Sequence, residues 1–335
     1  EIFLSELDSC RLLVVNLFSC VDNPFTSKSL FNYDKLYEIS QIAQRLMDDI
    51  VDLELEAIAQ IIKKLDSDPE PEYIKQNEIS TWRKIHTACL NGRRTGTGIT
   101  ALGDVIASLG IKYGTSKSIK VTEEIYKTLK LGCYRSSVDM AKELKPFPVW
   151  NHDKEKNNPF LLRIKEEDKL LYSEMSKYGR RNIAILTTAP TGTTSMMAGL
   201  SEKKHGTTSG IEPLFNVKGY TRRKKGNPGD EDFRSDFIDQ SGDHWMEFEV
   251  NHPGIELWSE ISNNKNLLKS PYIGAGDIDW INRVKLQAAA NKHVDHSISS
   301  TINLPNDVKE EEISNIYTTA WKSGLKGITV YRDGC

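Results

Sequence analysis

The chain has 335 residues, with 44 basic and 47 acidic side chains for a formal net charge of −3. That balance gives no reason to expect a broad nucleic-acid surface. No run of about 18 apolar residues marks a membrane-spanning helix, and the first residues lack a signal-peptide pattern, so a cytoplasmic location is the default expectation. Five cysteines without paired spacing argue against a disulfide framework or a C-x-x-C zinc site. Cys20, Cys89 and Cys133 read as small buried or half-buried residues.

Taken in chain order, the pattern alternates helix and strand. From Tyr33 to Leu65, apolar residues at Leu36, Ile39, Ala43, Leu46, Ile50 and Val51 fall on one side of a helix. Asp66 to Glu72, acidic and proline-containing, breaks it. A second helix is predicted over Ile99 to Leu109 and stopped by Gly110. A third covers Thr122 to Leu144, with Thr122 as N-cap and Glu123 and Glu124 favourable to its dipole. Glu166 to Tyr178 reads as helical and is stopped by Gly179.

Asn182 to Ala189 (NIAILTTA) then reads as a strand, rich in Ile and Thr, that Pro190 should end by removing an N–H and fixing φ. Two charged segments, Leu200 to Gly206 and Arg222 to Asp243, are expected as solvated loops. Ile313 to Ser323, Gly324 and Ile328 to Tyr331 form a last helix–strand unit. The alternation favours parallel strands with helices outside.

The candidate site follows the strand. In APTGTTSMMAG, Gly192 is expected to let the backbone turn sharply, while Thr191, Thr193, Thr194 and Ser195 place hydroxyls beside the first amides of a helix. A strand that empties into such a loop offers N–H groups to a phosphate. No lysine follows, so the GxxxxGK[ST] signature is absent. The histidines, among them His293 with His296 and His244 with His252, lack the spacing and companions of a metal site.

The run from Asn182 through GTTSGIEPLF to Phe215 resembles the phosphate-binding region of the catalytic subunit of ribonucleotide reductases. Other segments resemble that family in the same order. Glu1, Cys10 and Asn16-Leu17 are similar to the end of its N-x-C-x-E site, its second cysteine and an N-L pair. NGRRTGTGITALGDVIASLG (Asn91 to Gly110), HVDHSISSTINLP (His293 to Pro305) and GLKGITVYRDG (Gly324 to Gly334) each resemble a family segment. The last, with Tyr331 alone where the oxygen-dependent class has adjacent tyrosines, and FEVNHPGIELW (Phe248 to Trp258) are most like the adenosylcobalamin-dependent class.

The resemblance implies an α/β fold, the second half of a ten-stranded α/β barrel with outer helices, spanning residues 1–335. The radical-bearing cysteine would lie two positions before Glu1, and the N-terminal half and a C-terminal dithiol tail would lie outside the chain. The implied chemistry is radical replacement of the ribose 2′-hydroxyl by hydrogen. Glu1 would handle the 3′-hydroxyl proton, Cys10 would be one of the redox pair, and Pro190, Thr191, Gly192, Thr193, Thr194 and Ser195 would hold the substrate phosphates. Gly210-Ile211-Glu212-Pro213 would support the loop, Glu212 being a further candidate acid.

Adenosylcobalamin, a thioredoxin or glutaredoxin reductant, the missing N-terminal half and a possible homodimer are the implied cofactor and partners. The alternatives are a nucleotide-binding or assembly half-barrel without its own activity, and a large subunit of the oxygen-dependent class that needs a separate radical-generating subunit.

Overall fold

The computed structural model describes residue 2, residues 4–239 and residues 241–335. Its elements are β1 (Leu12–Asn16), β2 (Val21–Asp22), β3 (Leu30–Phe31), α1 (Tyr33–Asp66), α2 (Glu72–Gly92), β4 (Gly96–Thr100), α3 (Leu102–Ser108) and α4 (Ser116–Leu144). There follow α5 (His152–Glu155), α6 (Pro159–Glu167), α7 (Lys169–Tyr178), α8 (Gly192–Met197), β5 (Tyr220–Lys225), β6 (Phe237–Ile238) and β7 (His244–Val250). The remainder is α9 (Pro253–Ser262), α10 (Trp280–Asn291), β8 (Thr301–Leu304), α11 (Glu310–Lys322) and β9 (Thr329–Arg332).

Parallel pairing organises the molecule. β1 pairs in parallel with β4, Leu12 opposite Gly96 and Asn16 opposite Thr100. The extended segment 183–188 lies beside β4 through a parallel bridge from Thr97 to Leu186, and beside the next segment through one from Thr188 to Ile298. β8 continues that segment and pairs in parallel with β9. Five extended segments thus run parallel in chain order, with helices between them. They form an open array: no closed barrel exists among the described residues, so the expectation of a ten-stranded barrel half is met only as far as this parallel, helix-covered set.

Alternation decides which face the helices cover. Leu13 and Val15 of β1, Ile99 of β4 and Leu186 pack into a core with Ile125, Tyr126 and Leu129 of α4. Ile302 and Leu304 of β8 pack with Ile316 and Ala320 of α11 and Val284 of α10. Thr301 and Asn303, and Thr329 and Tyr331 opposite them, occupy the alternate positions. Gly98 is required where β4 meets its neighbour, because a Cβ there would lie 2.5 Å from the Thr187 carbonyl oxygen.

Several predicted boundaries move. α1 and its break occur as expected, Asn32 capping the helix by accepting from the Lys35 N–H at 2.9 Å. The predicted helix Ile99–Leu109 is corrected: Ile99 and Thr100 complete β4, and the helix begins at Leu102. α4 starts at Ser116, capped by Thr115, so Thr122 is a buried mid-helix residue and not the N-cap. The helix Glu166–Tyr178 is divided at Asp168, whose extended backbone (φ −146°, ψ 93°) ends α6 and whose carboxylate caps α7. Gly179 does stop α7, with φ +78°.

The segment 222–243, expected as a solvated loop, is mostly exposed loop and turn, but its ends carry short strands, residues 222–225 of β5 and the two residues of β6. β5 and β6 flank β7 in an antiparallel sheet, with Met246 buried. No helix among the described residues is long and apolar enough to cross a membrane.

Candidate functional site

The third extended segment is pinned from one side chain. The Asp295 carboxylate accepts the Ile185 N–H (2.8 Å) and the Leu186 N–H (2.7 Å), and it also accepts the Tyr134 hydroxyl at 2.7 Å. Burial pushes the Tyr134 phenol well up, and the Asp295 charge adds to this, so the hydroxyl stays a donor. The expected strand Asn182–Ala189 is present only as this extended segment with isolated bridges, the last at Thr188, two residues before exposed Pro190.

The turn after it is made differently from the sequence expectation. Thr191 takes the left-handed conformation (φ +54°, ψ 30°), while Gly192 is the first residue of α8 and has no positive φ. A threonine with φ > 0 is uncommon, and its surroundings explain it. The Thr191 hydroxyl accepts the Gly210 N–H at 2.7 Å and lies 3.2 Å from the Thr100 hydroxyl. Thr100 also approaches Thr207 (3.4 Å) and donates to the Thr208 carbonyl (3.1 Å). Gly210, with φ +50°, comes so close to the strand that a Cβ would sit 2.7 Å from the Ala189 carbonyl oxygen.

Two of the predicted phosphate-binding residues are therefore spent on the protein. Thr191 is buried as described, and Ser195, 2 % exposed, donates its hydroxyl to the Gly192 carbonyl at 3.1 Å and lies 3.1 Å from the Ser209 hydroxyl. Pro190, Gly192, Thr193 and Thr194 are exposed. The N–H groups of Gly192, Thr193 and Thr194 precede the first hydrogen bond of α8, from the Ser195 N–H to the Thr191 carbonyl at 2.8 Å. Beside them opens a cavity of about 520 Å³, bordered by Gly192, Ser195, Thr208, Glu212, His252 and Asn303 among others. Its size suits a small organic ligand.

The far wall rests on groups that sequence reasoning did not single out. Arg283, buried on α10, bonds to the Glu212 carboxylate, the Tyr113 hydroxyl, the Ile211 carbonyl (3.3 Å) and the Ser300 hydroxyl (2.9 Å). Glu212 also accepts the Thr301 N–H at 3.0 Å, so its carboxylate ties the GIEP segment to β8. Asp104 is fully buried and accepts from the Thr208 N–H and the Tyr272 hydroxyl, both at 2.6 Å. The signal for Asp104 was present, since it is the lone acid in the otherwise small and apolar stretch TALGDVIASLG. Arg283 carried no such signal, because its partners are distant in sequence.

Cys10 lies apart from the loop. It is exposed and precedes the start of β1, whereas the loop adjoins Thr100 at the other end of that strand pair. Six residues of extended chain separate Cys10 from Asn16, about 20 Å at ~3.3 Å per residue. Glu1 lies outside the described residues. Cys20, Cys89 and Cys133 are buried, as expected, and burial pushes the Cys89 thiol up to about 11.

The paired histidines have protein partners. His293 Nδ1 lies 3.0 Å from the Lys130 ammonium, and His296 Nε2 lies 3.1 Å from the Thr95 carbonyl. No cluster of metal-ligating side chains occurs among the described residues.

The family model for the ribonucleotide reductase barrel domain matches residues 1–331. This chain belongs to the ribonucleotide reductase barrel-domain family. It is similar to the vitamin B12-dependent ribonucleoside-diphosphate reductase of Mycobacterium tuberculosis, 25 % identical over the whole of this chain and 40 % of that protein. The protein of the same name from Thermoplasma acidophilum is 25 % identical over 98 % of this chain and 36 % of its own length. The ribonucleoside-diphosphate reductase large chain of Neurospora crassa is 22 % identical over 96 % and 32 % respectively. The chain thus spans about two fifths or less of these relatives.

Proposed function

We propose that this chain is part of the catalytic barrel of a ribonucleotide reductase, a ten-stranded barrel in the intact protein, and that it seats the substrate phosphates on the loop 190–195. The observation that carries this reading is a helix start, exposed at Gly192, Thr193 and Thr194, whose Gly192 borders a nucleotide-sized cavity at the end of a parallel extended segment in a chain of this family. Backbone amides at a helix start, with the dipole behind them, favour an anion. The side chains of Thr191 and Ser195 hold the loop, and Pro190 terminates the strand that presents it.

With the phosphates there, the sugar is directed toward the start of β1, and Cys10, about 20 Å from the loop end of that strand, must come nearer the ribose in the intact protein to act on it. Fixing the sugar in that way is the protein's main contribution to rate. In the overall exchange the ribose loses its 2′-hydroxyl as water and gains hydrogen at C2′. Cys10 and a second thiol supply two electrons and two protons and become a disulfide, which a thioredoxin-type dithiol then reduces. Glu1 takes up and returns the 3′-hydroxyl proton.

The relatives named vitamin B12-dependent support adenosylcobalamin as the radical source of the intact protein. The cavity beside the loop is of nucleotide size and does not fit a corrin as well.

The test is turnover by the intact protein with ribonucleoside di- or triphosphate, adenosylcobalamin and a dithiol. Deoxyribonucleotide should form over many cycles, and Cys10→Ser should stop cycling. Thr193→Asp places a carboxylate where it suits the helix but repels phosphate, and should raise KM about tenfold or more without lowering thermal stability. Product formed only with an iron-containing partner subunit would move the chain to the oxygen-dependent class. Binding without turnover would leave the assembly-module reading.

A further inference from the structure

The end of the parallel set away from the loop holds a cavity of about 700 Å³ that neither the loop nor the family match accounts for. It opens beside α2 and the starts of β4 and the segment 183–188, with Ser80, Arg83, Lys84, Asn91, Arg94 and Ile183 on its lining. The four α2 residues follow the spacing i, i+3, i+4, i+11, which sets them on one face of the helix. Ile79 and Cys89, on the other side of α2, are buried.

Arg94 is 9 % exposed and is aimed by its neighbours. Arg93 ends α2 in the left-handed conformation (φ +43°) and is clamped by Asp48 (2.8 Å) and Asp52 (2.7 Å), which turns the chain into β4. The Arg94 Nε then donates to the buried Asp8 carboxylate at 2.9 Å. Its two terminal nitrogens have no partner among the described residues, and neither is sealed from solvent. Buried polar groups are almost always partnered, so a guanidinium fork left open on a cavity points to an anion as its acceptor.

The neighbours set the kind of anion. Arg83 and Lys84 make no ion pair or side-chain hydrogen bond among the described residues, and neither does Glu6, the one acid on the lining. Three cations against one acid suit a ligand with more than one negative charge. Guanidinium groups take carboxylate and phosphate oxygens in pairs, and a phosphate chain places several such oxygens within reach of all three cations. We propose that this cavity is a second anion site, which binds the di- or triphosphate group of a ligand other than the substrate seated on the loop. Arg94 and Thr100, which adjoins the loop, are six residues of extended chain apart, about 20 Å at ~3.3 Å per residue, so one phosphate chain does not reach both. The inference stands without the reading of residues 190–195.

Arg83→Ala with Lys84→Ala leaves α2 intact, because both side chains are exposed and alanine is the best helix former. Calorimetric titration of the intact protein with inorganic triphosphate should show affinity at one site lowered about tenfold or more by this double substitution. KM for the ribonucleotide should be unchanged. Thr193→Asp should do the reverse, raising KM and leaving this site's affinity as it was. Triphosphate binding unaffected by the double substitution would overturn the second site and leave the loop standing. A raised KM in the double variant would place the substrate here and overturn both. Adenosine triphosphate bound at this site more tightly than inorganic triphosphate would identify an organic phosphate as the ligand, and equal affinity a free polyphosphate; either supports the site.

A measurement on the unsubstituted protein needs no variant. Inorganic triphosphate should slow reductive methylation of Lys84 relative to Lys63, which is exposed at the end of α1, as read by peptide mass mapping. Equal slowing of the two lysines would contradict the proposal.

Discussion

At His293, burial and the adjacent Lys130 ammonium lower the imidazole pKa to about 3. The sign of the consequence follows from the unfolded chain, where the same ring titrates near 6.5. Between those values the unfolded state binds a proton that the folded state does not, so stability is retained above about pH 6.5 and falls as pH drops toward 3. The slope is about 1.4 kcal/mol per pH unit. His293→Gln, which keeps an acceptor for Lys130, should therefore lose about 2 kcal/mol less than the parent between pH 7 and pH 5 in urea unfolding. Parallel losses would show that His293 is not held neutral.

The sequence placed His293 and His296 in a motif but carried no sign of Lys130, which arrives from α4, 163 residues away. The same limit applies to Arg283 and Glu212. The partner of a buried charge is legible in sequence only when it is local.

Among the elements, what was legible followed from local chemistry. The start of α1 at an asparagine cap and the stop of α7 at Gly179 each depend on a residue and its immediate neighbours. The misreadings occurred where tertiary pairing overrode a local pattern. Ile99 has helical spacing with the residues that follow, yet Gly96 and Gly98 admit a close neighbour and draw it into β4. Thr122 followed by two glutamates imitates a cap, but the helix had already begun at Ser116. The basic residues of β5 disguised a strand because adjacent Lys224 and Lys225, on opposite faces, are both exposed and leave no apolar alternation.

Gly98→Ala should consequently cost about 1–3 kcal/mol, since the added methyl meets backbone 2.5 Å away. Gly192→Ala, where a Cβ meets nothing within 4 Å, should stay within about 0.5 kcal/mol of the parent. Urea midpoints of the two variants compare these sites directly. Equal effects would mean that the sheet spacing at β4 is not set by glycine.

Over the whole molecule, the parallel segments present two ends with different chemistry. At one end lie the loop 190–195 and its cavity, and at the other a cavity of about 700 Å³ bordered by Arg83, Lys84 and Arg94. Overall charge does not choose between them, and the second cavity is the more basic. The choice rests on the helix-start amides and the family match. A structure of the intact protein with a bound ribonucleoside diphosphate decides it. The account predicts phosphate oxygens within hydrogen-bond reach of the N–H groups of Gly192, Thr193 and Thr194, with the ribose directed toward the start of β1. Phosphates bound instead against Arg83, Lys84 and Arg94, with the loop unliganded, would contradict it.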